Sequence, residues 1–142
     1  MARGRVFVDT SAWYALQITD DANHSQARNI FPVLLKRFGN LVTSNHIIGE
    51  TYTLLRMSKG YDAARRFVTL IRESPRLEEY FADQELERNA YALLHQYRDH
   101  PFSFVDGLSF AIMKKEGIQE CFAFDAHFAV AGFNRIGIDT PL

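Results

Sequence analysis

The stretch Arg5–Asp9, RVFVD, is a short apolar run that ends on a carboxylate. Two later stretches repeat this pattern: Phe102–Asp106, FSFVD, and Cys121–Asp125, CFAFD. An acid directly after a buried run lies where a strand leaves the core, or where a helix begins at the core's edge. In open α/β sheets ligands bind at that edge, beyond the carboxyl ends of the strands. The three stretches therefore predict an α/β fold with acids gathered at one edge of a sheet.

The rest of the chain alternates between the hydrophobic periods of strands and helices. The predicted strands are 6–8, 41–43, 77–80, 122–124 and 135–138, and the predicted helices are 12–16, 23–38, 45–57, 61–72, 83–97, 103–115 and 126–131. Pro32 lies within the second helix and is expected to kink it or to mark a late start. This alternation predicts a central, mainly parallel sheet of about five strands with helices on both faces, a three-layer α/β/α architecture.

The composition is that of an ordinary globular chain and argues against disorder, since 47% of the 142 residues are hydrophobic and 23% are charged. Length alone predicts a single domain over residues 1–142. The net charge of -1 argues against general electrostatic coating of nucleic acid. A single cysteine, Cys121, excludes an internal disulfide and a cysteine-based zinc site, and fits a cytoplasmic location. We expect neither a membrane span nor a signal peptide.

Each acid of interest also has a purely structural interpretation. Asp9 and Asp125 can each cap the helix predicted to follow them. Ser103 and Asp106 have the spacing of a capping box, with Asp in place of the usual Glu or Gln. Glu50 lies within a predicted helix, where acids are usually solvated, although it flanks the buried face of that helix at 100° per residue. Taken singly, none of these acids identifies a site.

Taken together, the acids indicate a metal site, because all of them fall at edges of the predicted sheet layer. The four candidate ligands are Asp9, Glu50, Asp106 and Asp125. Carboxylates held so close repel one another unless a cation lies between them. A ligand set of oxygens alone favours Mg²⁺ or Mn²⁺ over zinc. The hydroxyls of Thr10, Ser11 and Ser103 are expected to orient a ligand or a water. His127 is interpreted as a histidine at a helix start and is left out of the metal set.

Four motifs of the chain are similar to those of a known family. They are VFVDTSA at 6–12, IIGET at 47–51, FVD with LSFA at 104–111, and FDAHF at 124–128. In this order and spacing, from residue 6 to about residue 138, the chain resembles the PIN domain. More narrowly, it resembles the VapC toxins of type II toxin–antitoxin pairs.

The resemblance implies an endoribonuclease that depends on Mg²⁺ or Mn²⁺ and hydrolyses RNA, often tRNA or rRNA. The four acids would be its catalytic tetrad, with Asp9 and Asp106 as direct ligands and Glu50 and Asp125 acting directly or through water. It also implies a homodimer and a small VapB antitoxin whose tail occupies a groove beside the active site.

In one position the chain departs from the family pattern. Ala126 stands where a basic residue often follows the last acid, which puts one phosphate contact implied by the resemblance in doubt while metal binding should survive. Phosphate contacts are therefore expected from a set of cations that also fits an ordinary solvated helix face. These cations are Arg56, Lys59, Arg65 and Arg66.

Three other functions are compatible with parts of the same pattern. A phosphotransfer domain of the response-regulator or dehalogenase kind is disfavoured, because Asp9 has no tandem acid or D-x-D partner and no later strand ends on a lysine. A non-catalytic interaction domain of the same fold stays open, since acids do not prove turnover. So does a housekeeping ribonuclease of this fold that is not paired with an antitoxin.

Overall fold

A computed structural model of the chain describes residues 4–142, which alternate between strands and helices. The strands are β1 (Arg5–Val8), β2 (Asn40–Ser44), β3 (Leu77–Tyr80), β4 (Glu120–Phe122) and β5 (Asn134–Arg135). The helices are α1 (Thr10–Gln17), α2 (His24–Arg37), α3 (Asn45–Lys59), α4 (Tyr61–Glu73), α5 (Gln84–Gln96), α6 (Phe104–Glu116) and α7 (His127–Val130). Over the described part of the chain, none of the helices is long and apolar enough to cross a membrane.

The five strands form one parallel sheet in the order β3-β2-β1-β4-β5. From the central strand β1 the chain moves outward to β2 and β3, and then returns to the other side of β1 for β4 and β5. Since parallel crossovers are right-handed, this reversal places α1 to α4 on one face and α5 and α6 on the other. The predicted α/β/α fold with about five parallel strands is confirmed. The strand order reverses between β1 and β4, where open sheets of this kind bind ligands.

The core holds the ends of β1 and β4 rigidly. All three apolar residues of β1, at positions 6–8, are fully buried, because helices cover both faces of the sheet. Aromatic rings fill the space beneath the strand ends. Phe110 of α6 packs edge-on against Phe128 of α7 with ring centroids 5.0 Å apart. Phe128 in turn lies 6.2 Å from Phe7 of β1. These contacts connect α6, α7 and β1 at the edge where the acids follow.

The boundaries predicted for the last two strands are wrong. β4 was predicted at 122–124 but ends at Phe122, because the backbone N–H of Phe124 donates to the Ser11 hydroxyl at 2.9 Å instead of to a strand. β5 was predicted at 135–138 but ends at Arg135. Beyond it the chain turns at Gly137, whose φ of 78° is left-handed and whose N–H donates to the carbonyl of Thr140 at 3.0 Å.

Helix α2 continues through Pro32 from His24 to Arg37, so a late start at the proline was wrong. Proline lacks the N–H that would bond the carbonyl four residues earlier, which removes one hydrogen bond from the helix. Three buried residues on one face, Ala27, Ile30 and Leu34, hold the helix against the core on both sides of the proline. Tertiary packing here outweighs local propensity.

The packing of α5 on α6 makes a testable prediction at Gly107. A methyl group at Gly107 would lie 2.8 Å from Cγ of Leu94 and 3.1 Å from the carbonyl oxygen of Ala90. Overpacking of this kind costs about 1–3 kcal/mol, only partly offset by the better helix propensity of alanine. Gly107→Ala should therefore lower the free energy of unfolding, measured by urea denaturation.

Gly49 of α3 provides the matched control, since no atom lies within 4 Å of a methyl group built there. Gly49→Ala should raise the free energy of unfolding by about 0.5–1 kcal/mol through helix propensity alone. Equal shifts in the two variants would contradict the close approach of α5 and α6.

Candidate active site

One pocket beyond the carboxyl ends of β1 and β4 contains all four predicted acids. Its lining residues are Asp9, Thr10, Ser11, Glu50, Leu54, Pro101, Ser103, Asp106, Asp125 and His127. No lysine or arginine lines this pocket in the part of the chain that the structure describes. The pocket is therefore a concentration of negative charge without a strong cation to balance it.

Asp9 leaves the end of β1 and caps helix α1. Its Oδ2 accepts hydrogen bonds from the backbone N–H of Ser11 at 3.2 Å and from the Ser11 hydroxyl at 2.7 Å. The same hydroxyl accepts a hydrogen bond from the N–H of Phe124, just beyond β4. Ser11 thus connects the two strand ends that carry the first and last acids. Asp9 itself is 6% exposed.

Asp106 stands in the first turn of α6 and forms the capping box that its spacing predicts. The backbone N–H of Ser103 donates to Oδ2 of Asp106 at 3.0 Å, and the backbone N–H of Asp106 donates to the Ser103 hydroxyl at 3.0 Å. Both groups are held in place by this pair of bonds, and Asp106 is 7% exposed at the pocket wall. Asp106 therefore caps helix α6 and lines the pocket at the same time.

Asp125 follows β4, and its Oδ1 accepts the backbone N–H of His127 at 2.9 Å. The imidazole of His127 turns back into the pocket, where Nδ1 lies 2.9 Å from Oδ2 of Asp106 and 3.5 Å from Oδ1 of Asp125. These three side chains each offer a ligand atom within 4.8 Å of the others. Sequence reasoning set His127 aside; its one available signal was its place two residues after Asp125, at a helix start.

The other predicted residues are placed less centrally. Glu50 is exposed on α3 and lines the pocket, but it lies outside the group of side chains whose ligand atoms converge within 4.8 Å. The hydroxyl of Thr10 lies 3.5 Å from the carbonyl of Ile47 on α3, so it is engaged away from the acids.

The four predicted phosphate-binding cations are exposed on α3 and α4, and none of them lines the acid pocket. They are Arg56, Lys59, Arg65 and Arg66. Lys59 and Arg66 instead line a separate depression between α1, α3 and α4. The structure therefore does not bring these cations to the carboxylates.

In each of the three inner acids, local hydrogen bonds occupy one carboxylate oxygen. The occupied atoms are Oδ2 of Asp9, Oδ2 of Asp106 and Oδ1 of Asp125. Within residues 4–142, no hydrogen bond is found to the second oxygen of any of them. Each acid therefore keeps one oxygen that accepts no hydrogen bond from the described residues, and a cation can bind carboxylates through single oxygens of this kind.

The charge of this cluster is unfavourable in the absence of a cation. Burial raises the pKa of Asp9 to about 7, and the nearby charges of Asp125 and Asp106 act in the same direction. The hydrogen bonds from Ser11 oppose this shift without cancelling it. A buried carboxylate with a raised pKa in a cleft is typical of a functional site.

The chain was compared with known proteins. The model of the PIN domain family matches residues 6–134. The "23S rRNA-specific endonuclease VapC20" of Mycobacterium tuberculosis is 41% identical over 136 residues, which cover 92% of this chain and 97% of that protein. A "VapC ribonuclease" of Archaeoglobus fulgidus is 26% identical over 130 residues, covering 90% and 81%. The crystal structure of Mycobacterium tuberculosis VapC20, described as a sarcin-ricin loop cleaving toxin, superposes with a TM-score of 0.83 at 38% identity, covering 91% of this chain and 96% of that one.

The parallel sheet, the acid pocket at its switch point and the family match define a PIN domain. The similarity to VapC20 extends along almost the whole of both chains, so it identifies the branch of the PIN domain family to which this chain belongs. The chain belongs to the VapC toxin family of PIN domain ribonucleases. The resemblance found in the sequence motifs is confirmed.

The raised pKa of Asp9 makes a prediction about stability in the absence of metal. Between about pH 4 and pH 7 the folded protein keeps the Asp9 proton while the unfolded chain loses it. The free energy of unfolding should therefore fall as pH rises through this range, by an amount on the order of 4 kcal/mol or less. Urea denaturation in EDTA at several pH values measures this slope.

Asp9→Asn should flatten that slope, because the variant side chain does not titrate. Asp62→Asn, at an exposed position of α4, is the matched control and should keep the slope of the wild-type protein. Equal slopes in the wild-type protein and Asp9→Asn would contradict the raised pKa.

Proposed function

We propose that this chain is a metal-dependent endoribonuclease that cuts ribosomal RNA and acts as the toxin of a VapBC-type pair. One observation supports it above the others: Asp9, Asp106 and Asp125 meet in one pocket that no lysine or arginine of the described residues enters. Family membership supplies the reaction class, and the pocket supplies a place for it.

The residues of the pocket fit a hard divalent cation. Carboxylate oxygens are the ligands that Mg²⁺ and Mn²⁺ prefer, and a bound cation would stabilise the charged form of Asp9, whose pKa is raised mainly by burial and further by the charges of Asp125 and Asp106. Asp9, Asp106 and Asp125 would hold the cation through their available oxygens. Glu50, exposed at the rim, would contact it directly or through a water.

A divalent cation in this position supplies Lewis-acid stabilisation of the phosphoryl oxygens and the leaving group. The chain's own residues determine where that chemistry happens. Ser11 and Ser103 hold the carboxylates of Asp9 and Asp106 in fixed orientations. Glu50 is exposed at the rim of the pocket and would orient the attacking water. Asp9 is almost completely buried, so its carboxylate has little contact with bulk solvent.

Ribosomal RNA is the substrate that the relatives favour over tRNA. The similar Mycobacterium tuberculosis protein is named as specific for 23S rRNA, and its structure as that of a toxin cleaving the sarcin-ricin loop. Beyond the pocket, the exposed cations of α3 and α4 would contact the RNA backbone and contribute affinity that weakens with salt. These are Arg56, Lys59, Arg65 and Arg66.

A partner groove is available away from the acid pocket. A large, mainly apolar groove lies between α1, α2 and α4, and its apolar lining includes Trp13, Leu16, Phe31, Leu35, Leu70 and Leu77. Such a groove suits the apolar face of a short antitoxin segment of the VapB type. We propose that the toxin acts in the cytoplasm as a homodimer and is silenced by such an antitoxin.

The activity is tested with purified partner-free protein and intact ribosomes, with Mg²⁺ or Mn²⁺. The wild-type protein should produce discrete rRNA fragments, and EDTA should abolish them. Asp125→Asn should lower the cleavage rate at least about 100-fold, because it removes a charged ligand while its oxygen can still accept the His127 N–H. Primer extension locates the cut and gives its rate.

Asp62→Asn again serves as the matched control and should cleave at the rate of the wild-type protein. Circular dichroism should show the same fold in all three proteins. Cleavage by Asp125→Asn at the wild-type rate, or cleavage that survives EDTA, would contradict the proposed function.

A further inference from the structure

We propose that His127 is a positioning residue that determines which oxygen of Asp106 faces the metal. Its imidazole donates a hydrogen bond from Nδ1 to Oδ2 of Asp106, and this bond leaves Oδ1 for the cation. The inference rests on the proposed function, since it assumes that the acids hold a metal ion.

The hydrogen bonds at Asp106 support this role. Oδ2 accepts the backbone N–H of Ser103 at 3.0 Å and faces Nδ1 of His127 at 2.9 Å. Two donors fill the two lone-pair directions of one carboxylate oxygen. The capping box alone holds the carboxylate from one side, whereas the imidazole holds it from the other. With both in place, exchanging the two oxygens by rotation of the carboxylate would break two hydrogen bonds at once.

His127 is itself held from several directions. Its ring lies against Phe102, with centroids 4.9 Å apart, and Phe102 packs edge-on against Phe110 at 5.2 Å. Phe110 is a fully buried residue of α6. The backbone N–H of His127 donates to Asp125 at 2.9 Å, so one residue contacts two acids through two different groups. These contacts hold the Nδ1 donor in place beside Asp106, and a donor with a fixed position can orient a second side chain.

The proton on the imidazole follows from its partner. Since the oxygen of an ionised Asp106 is an acceptor, Nδ1 of a neutral His127 must carry the hydrogen and donate it. Outer groups that orient a metal-binding carboxylate in this way typically change metal affinity 10- to 100-fold when they are removed. The alternative is that Nδ1 is itself a ligand, because its distance from both carboxylates would permit it.

Two variants separate these roles. His127→Phe keeps a ring against Phe102 but has no N–H, whereas His127→Asn keeps an N–H donor near the position of Nδ1 but has no ring. Isothermal titration calorimetry with Mn²⁺ measures affinity without requiring turnover. We expect His127→Phe to bind Mn²⁺ about 10- to 100-fold more weakly than the wild-type protein, and His127→Asn to stay within about threefold of it.

The controls keep the result interpretable. His95→Ala, an exposed histidine of α5, should bind Mn²⁺ as the wild-type protein does. Thermal unfolding shows whether each variant folds, and His127→Ala replaces His127→Phe if the larger ring is not accommodated. Activity on ribosomes should follow the same order as affinity.

Three outcomes would overturn the inference. Unchanged affinity in His127→Phe would mean that the hydrogen bond positions nothing. Equal loss in His127→Phe and His127→Asn would assign Nδ1 as a direct ligand instead. In both cases the wild-type protein still binds Mn²⁺ and the proposed function stands. A wild-type protein that binds no Mn²⁺ would overturn the proposed function, and the inference with it.

Discussion

Repulsion between the carboxylates that the fold brings together at one edge of the sheet is the constraint on which the rest of the site depends. The carboxylates follow β1, follow β4 and begin α6, three elements that the apolar core fixes relative to one another. The chain cannot separate them without unpacking the aromatic rings below. It therefore tolerates an acid, Asp9, whose pKa burial and like charges raise to about 7. Natural proteins keep such destabilised groups where function uses them.

The protein holds each charge without neutralising it. Ser11, Ser103 and His127 each contribute hydrogen bonds to one carboxylate oxygen, and the other oxygen stays available. Because Ser11 also accepts the N–H of Phe124, the orientation of Asp9 depends on the path of the chain after β4. The acids are thus held by backbone N–H groups near helix starts and by short polar side chains. The arginine and lysine side chains of α3 and α4, which would compete with a metal ion for the carboxylates, lie outside the pocket.

Local sequence pattern predicted most of the fold, because the three inner strands β1, β2 and β4 contain short buried apolar runs that are visible in the sequence. Local sequence also predicted the acid that follows β1, Asp9, and the capping box formed by Ser103 and Asp106. What failed depends on contacts between distant residues. The hydrogen bond that ends β4 joins residues 113 positions apart, and the contact between His127 and Asp106 spans 21. The place of His127 two residues after Asp125 hints at a role, but local spacing does not show that its ring reaches Asp106 or that the Thr10 hydroxyl turns toward α3.

Whether these carboxylates are assembled for a cation is decided by calorimetric titration of the metal-free protein with Mn²⁺. Titrations at pH 6 in two buffers of different ionisation enthalpy count the protons released on binding. We expect release of close to one proton per site at pH 6, little release at pH 8, and loss of this difference in Asp9→Asn, because the cation displaces the proton that Asp9 holds. Absence of binding would contradict a cation site at these carboxylates. Binding without proton release at pH 6 would contradict the proposal that the cation displaces a proton from Asp9.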